Sequence, residues 1–570
     1  MKESVKVRIT DMIGIICILI GAGAFIRSAC FVYSSDIWFD ELFTVELALK
    51  PLPQMLSLAA QDVHPPLYYI LVRAVYIILH SAFGTDAVVA AKITSLIPYA
   101  LVLAYLVVFV RRHFGWLSAG LAFVMIAAMP HMSEFMVEAR MYSWAAFALL
   151  AMFVHAVEWG IGTIDKGEAS DNNELLGCDR GTRSVTHVLR CAGHIFTALI
   201  YGIAAMYLHY YGLIGAGVIA AGVLACAVVS EVKCRKEKGG AGRRIILPVV
   251  GCCVVAVASY IPWIRVLMGQ IGQVSASYWI QPVTWRTIPG CVKYIFSPEF
   301  EQSYVNYICA GIMVASYIFM MLRYLRHNGK DSGDSGHKYR ARDHAASLYI
   351  FGSAAVLAGV IAAGIVASII IRPVFVYRYM MPAMFIFWTG YAVLIGKTVE
   401  ESPRIVTIAI VIVTIVTIGA TCIRSFNLFR WEEARKAEGM KQFEVTLDKI
   451  RQDYSDTLIV CNFNHVQAMM WYYLENDSVL WGYTDETLIA DICDRSPIVM
   501  IDDASDLKEI LAGRGQSEFL FFGSGNARDE IIEDWNSYEF FTEMLHNSCF
   551  LERYYINIYK VALKSTESNP

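Results

Sequence analysis

The chain has 570 residues, of which 56% are hydrophobic and only 17% charged, and its mean hydropathy is +0.48. That composition excludes an ordinary soluble protein of this length and makes the bilayer its main solvent. The net charge of −4 hides a sorting by region, and no basic stripe interleaved with aromatics points to nucleic acid.

Apolar runs of bilayer-crossing length recur from Ile13 to Ile423 and stop after Arg424. The first follows MKESVKVR and reads as a retained helix, because no small-residue cleavage site follows it. Most cysteines, Cys17, Cys252, Cys253 and Cys309 among them, lie inside these runs as small hydrophobes, and no zinc-like CxxC spacing occurs. Basic clusters at 2 to 8, 111 to 112, 180 to 190, 233 to 244, 323 to 342 and 397 to 404 mark the cytoplasmic side, so an even number of crossings separates each from the next. Three apolar stretches precede Arg111, at 13 to 33, 67 to 83 and 87 to 110, so one of them does not cross. The stretch 67 to 83 carries Arg73 and His80 between Pro66 and Gly84, and is predicted to lie along the interface. Residues 34 to 86 then form one long exterior loop.

Further spans near 115 to 130, 141 to 158, 191 to 208, 211 to 230, 245 to 267, 304 to 324, 346 to 371, 380 to 397 and 405 to 423 bring the total to about eleven. This places a multi-pass protein in the cell membrane with a cytoplasmic N-terminus and an extracytoplasmic tail. Residues 424 to 570 are acidic and less apolar, with alternating segments such as DTLIVCNF and YYINIYKVAL between helical ones, which predicts a small α/β domain. Within it, Asp502 and Asp503 and the GSGN at 523 to 526 read as turn residues. The predicted architecture is thus an α-helical membrane domain over 1 to 423 and an extracytoplasmic α/β domain over 424 to 570.

The polar residues of interest concentrate in the first exterior loop: Asp36, Asp40 and Glu41 in WFDELFTVELALKPL, then Asp62 and His64 in QDVHPPLYY. Adjacent acids can simply mark a helix end at the headgroups. Here a further acid and a histidine precede Pro65 and Pro66, which fix the local backbone, and the combination favours a built site. Sugar transfer from a phosphate-linked donor to a hydroxyl needs a carboxylate for the acceptor proton and cations for the departing phosphate. The exterior arginines that break the positive-inside trend, Arg140, Arg372 and Arg378, are the candidate cations, with a snorkelling helix-end arginine as the plain alternative. His209 stands at a helix end, and Trp263, Gln270, Tyr278 and Trp279 are expected near the surface.

These motifs occur in a telling order: DE after the first helix, HPPLYY, FG, EARMY, HYYG, PW, YWI and RPVFVYRYMMP. Together they resemble the bacterial polyprenyl-phosphate-dependent GT-C glycosyltransferases, the protein O-mannosyltransferase-like and aminoarabinose-transferase-like enzymes, over roughly residues 10 to 400. The resemblance implies that Asp40 is the base, with Glu41 supporting it or contacting substrate. It implies that His64, Arg140, Arg378 and Tyr379 bind the donor phosphate, with Asp62, Tyr142, His209 and Tyr210 as further substrate-site candidates. The reaction it implies is an inverting displacement on a polyprenyl-phosphate sugar, with a glycan, lipid or protein as acceptor and no nucleotide sugar. Where relatives carry a basic residue before the proline this chain has His64, whose phosphate contact depends on its protonation or on a metal; some relatives require a divalent ion, which Asp40, Asp62 and His64 would hold. A transporter or flippase is the alternative from another class, but it predicts ionisable residues at mid-membrane and repeated halves, whereas the acids here cluster in one loop and no repeat is visible. A sensory protein whose helices merely anchor an exported ligand-binding tail would need neither so many spans nor a polar first loop.

Overall fold

A computed structural model describes residues 2–33, 37–172, 180–237, 245–274, 280–328, 337–401, 405–474, 478–481, 487–495, 499–501, 503–525, 527–537, 540–551 and 554–564. Among them, ten helices are long and apolar enough to cross a membrane. This is a multi-pass membrane protein. The helix Ala87–Ala128 runs for 42 residues, about twice the length one crossing needs, and breaks at Gly115, whose φ of 80° is open to glycine at little cost. It accommodates the two crossings expected over 87 to 110 and 115 to 130, which reconciles ten helices with about eleven spans. Leu67–Phe83, at 17 residues, is not one of the ten.

The chain divides into two compact units. The first comprises Met1–Cys30, Val63–Leu71 and Lys92–Phe429. Its innermost element is Met381–Glu400, along which Trp388 and Tyr391 are fully buried. Small residues let its helices approach closely: a Cβ on Gly14 would stand 2.2 Å from the Trp116 backbone, and one on Gly390 would overlap Ser353.

The second unit comprises Phe31–Asp62, Val72–Ala91 and Arg430–Pro570. It contains a six-stranded sheet of β1 (Ile459–Cys461), β2 (Ser478–Trp481), β3 (Val499–Ile501), β4 (Glu518–Ser524), β5 (Phe540–Leu551) and β6 (Tyr554–Leu563), in the order β3-β2-β1-β4-β6-β5. The first four strands are parallel, with Val460 opposite both Val479 and Phe521, and β6 and β5 close the sheet antiparallel. One face packs Val460, Val479, Phe519 and Phe521 against Leu507, Leu511 and Trp535. Asp503 is a turn residue as expected, its carboxylate accepting from the Ser505 amide at 2.8 Å to start the helix Ala504–Gly513; Asp502 and Asn526 lie outside the described residues.

The change of composition at Arg424 does not end the helix. Ile405–Asp453 is assigned as one helix of 49 residues. The charged stretch after Phe429 is rich in Ala, Glu, Lys and Arg, all strong helix formers, so nothing stops propagation when the apolar run ends.

Candidate functional site

In the second unit, the helix Phe39–Leu49 carries the predicted acids in its first turn, where the partial positive charge of the helix end favours carboxylates. It stops at Lys50 because Pro51 disfavours helical backbone in the residue before it. Asp40 is half-buried; Glu41 is 4% exposed, and its Oε2 accepts the Trp38 amide at 3.2 Å. Glu41 thus completes the start of the helix that presents Asp40. At the far end, Arg73 donates to the carbonyls of Ala48, Leu49 and Lys50 at 3.2, 3.0 and 2.6 Å, satisfying acceptors that every helix C-terminus leaves open. His465, from the C-terminal part of the unit, stacks on Phe39 with ring centroids 3.7 Å apart. Burial pushes the His465 imidazole down to about 4 against the opposing pull of the Asp40 carboxylate, so the ring is neutral at neutral pH.

In the first unit, His64, Arg140, Tyr142, His209, Tyr211 and Tyr379 gather into one cluster. Arg140, 4% exposed, has its guanidinium 3.4 Å from His64 Nε2, with Arg140 donating. The His209 ring lies 5.9 Å from His64, 5.4 Å from Tyr142, 5.8 Å from Tyr211 and 5.2 Å from Tyr379. Burial, and then the neighbouring His64 and the guanidiniums of Arg140 and Arg378, hold the His209 imidazole well below its ordinary value. The Tyr211 amide donates to His209 Nδ1 at 3.0 Å, which leaves the ring proton on Nε2. His209 is therefore a neutral hydrogen-bond donor among cations. Arg378 and Tyr379 come from the short turn Tyr377–Met380 that leads into the buried Met381–Glu400 helix, a rigid support.

Beside the cluster lies a cavity of about 260 Å³ lined by His64, His209, Tyr210, Tyr211, Gln270, Arg372 and Tyr379 together with aliphatic side chains such as Leu213, Leu267 and Ile271. A mostly apolar lining that includes His64, His209 and Arg372 suits an amphipathic ligand with an anionic head. Trp263 and Gln270 are buried, at 8% and 3% exposure. They form a chain with Tyr210: Trp263 Nε1 donates to the Tyr210 hydroxyl at 3.2 Å, and that hydroxyl donates to Gln270 Oε1, so each meets its hydrogen-bonding need inside the protein. Asp62 is half-buried in the second unit. Asp36, Tyr278 and Trp279 lie outside the described residues. Among the described residues no group of three or more His, Cys, Asp or Glu is arranged to hold a metal ion.

Neither a protein-family model nor a curated protein matches the chain. Among solved structures, ArnT from Cupriavidus metallidurans in the apo state superimposes with a TM-score of 0.52 at 12% identity, over 96% of this chain and 97% of that one. The same protein bound to undecaprenyl phosphate gives 0.52 and 12%, over 98% and 99%. The chain has the GT-C fold. This agrees with the architecture expected from the sequence, a multi-pass helical body with a small sheet in the C-terminal part. Sequence reasoning missed several residues that surround the predicted site residues. Tyr211 was present only as a letter in HYYG, and Arg73 was read as the mark of an interfacial helix. His465 lies just beyond the first predicted strand of the tail, and its position after a strand's carboxyl end was the one signal that could have singled it out.

Proposed function

We propose that this protein is a glycosyltransferase that moves a sugar from a polyprenyl-phosphate carrier to an acceptor on the extracytoplasmic face of the membrane. The observation that carries the reading is the cluster of Arg140, Arg378, His64 and neutral His209 beside a largely apolar cavity. A phosphate needs charge-assisted donors and a prenyl chain needs an apolar wall. The GT-C fold supports the same reading, and ArnT has been crystallised with undecaprenyl phosphate.

In the proposed reaction an acceptor hydroxyl attacks the anomeric carbon while the Asp40 carboxylate takes its proton. The bond from that carbon to the phosphate oxygen breaks, its electron pair leaves with the lipid phosphate, and the anomeric configuration inverts. Arg378 and Arg140 offset the charge that grows on the departing phosphate, and His209 donates through Nε2. Because the Nε2 of His64 accepts from Arg140, the arginine supplies the positive charge there and His64 orients it. The acceptor is a glycan, a lipid or a protein. The basic clusters that mark the cytoplasmic side support an N-terminus inside and the acid-bearing first loop outside.

The test is consumption of a panel of undecaprenyl-phosphate-linked pentoses and hexoses by the full chain in lipid. Wild type is expected to release undecaprenyl phosphate, and Asp40→Asn to be slower by about 10²-fold or more with donor KM little changed. Asp40→Asn as fast as wild type would remove Asp40 from the role of base. Movement of intact donor across vesicles without release of its sugar would favour the transporter.

A further inference from the structure

Doubly wound sheets take their ligands at the carboxyl ends of the strands, at the point where strand order reverses. In the C-terminal sheet β1 is flanked by β2 on one side and β4 on the other, and β3 lies beyond β2, so the reversal falls between β1 and β4. Asn462 bridges that crevice: its Nδ2 donates to the Ser524 carbonyl at 2.7 Å, and its Oδ1 accepts the Ser524 amide at 2.9 Å. Two residues on, the helix Asn464–Leu474 begins. Its second residue, His465, lies flat on Phe39, the rings 3.7 Å apart and 8° from parallel, with Phe463 at 4.4 Å on the same histidine. Phe39 is the residue immediately before Asp40. At the opposite end of the Phe39–Leu49 helix, the side chain of Lys50, 7% exposed, pairs with Asp494 at 2.6 Å. The acid-bearing helix is therefore held at both ends by residues more than 400 positions further along the chain.

We propose that His465 is a positioning residue for the Asp40 carboxylate: the C-terminal fold uses the edge where such sheets take ligands to seat Phe39, and so fixes the first helical turn that carries the base. The inference rests on the assignment of Asp40 as base. Misplacing a base by about 1 Å costs about 10²-fold in rate, so a flat ring clamped beside it is a sufficient device. What the device requires at 465 is a planar ring face, because the interaction with Phe39 is parallel stacking.

The experiment compares wild type, His465→Ala, His465→Leu, His465→Phe and Asp40→Asn as full chains in lipid. Transfer from undecaprenyl-phosphate-linked sugars is read as kcat and donor KM, and hydrogen exchange of the amides from 40 to 49 is read without ligand. His465→Ala, or His465→Leu should alanine not fold, is expected to lower kcat about tenfold or more with donor KM unchanged and to speed exchange in the first turn. His465→Phe is expected to restore both. Wild-type kcat and exchange in the alanine or leucine variant would overturn the proposal, as would a phenylalanine variant as slow as alanine, since the ring nitrogens and not the ring face would then matter. Should Asp40→Asn prove fully active, the base assignment fails by itself, and the exchange rates still decide whether His465 seats the helix.

Discussion

At the residue scale the site depends on keeping two histidines neutral beside full charges. In the proposed reaction Arg378 would act by geometry as well as charge, because a planar guanidinium can meet two phosphate oxygens at once. Arg378→Lys is accordingly expected to lose about 10²-fold in kcat for donor consumption, and a lysine variant within threefold of wild type would make Arg378 a point charge only. His465 gives a pH dependence of stability. Its imidazole titrates near 4 in the folded chain against an ordinary 6.5, so below 6.5 the unfolded state binds the extra proton and the folded state does not. Stability that is fully present above 6.5 is therefore lost as the pH falls toward 4. Thermal unfolding in detergent should show this slope in wild type and a shallower one in His465→Phe, which has nothing to titrate. Identical slopes would mean that the ring is solvated. His209 pulls in the same direction and keeps part of the slope in both proteins.

At the element scale two devices set the geometry. The first is close packing of helices through glycine: a Cβ on Gly120 would stand 2.0 Å from the Gly14 carbonyl oxygen, whereas one on Gly23 would meet nothing within 4 Å. Gly120→Leu is expected to lower the unfolding temperature by several degrees, and Gly23→Leu to leave it within error; equal effects would mean that these helices do not depend on backbone contact. The second is the closing of the Phe39–Leu49 helix by Arg73. Arg73→Ala removes the partner of three carbonyls and is expected to speed amide exchange in the last turn of that helix while leaving its first turn, held by Glu41 and His465, unchanged. The helices that cross were legible in the sequence because length and hydropathy alone specify them, down to the pause at Gly115. The continuation of the last long helix to Asp453 was not legible as part of that span, because a change from apolar to charged residues looks like a boundary even where the charged stretch is rich in Ala, Glu, Lys and Arg, all good helix formers.

At the scale of the whole molecule, the cationic cluster was readable in part, since Arg140, His209 and Arg378 stood out as polar residues at helix ends. Their convergence was not readable, because it is made by side chains from segments far apart in the chain: His64 and Arg140 are 76 positions apart, and Tyr211 meets the Val374 carbonyl across 163. The pairing of Phe39 with His465 is more distant still and carries no local periodicity. Phe31–Asp62 and the C-terminal sheet belong to the same compact unit, so removal of residues 454 to 570 is expected to abolish the first-turn protection of the Phe39–Leu49 helix as well as the sheet. The measurement that bears most directly on the central claim is the product itself. Purified full-length protein in lipid vesicles, given an undecaprenyl-phosphate-linked sugar of known anomeric configuration and a mixed acceptor fraction, should release one undecaprenyl phosphate for each sugar transferred, and the new glycosidic bond should have the opposite configuration by NMR. Retention of configuration, or lipid phosphate released with no sugar gained by any acceptor, would contradict single displacement with Asp40 as the base.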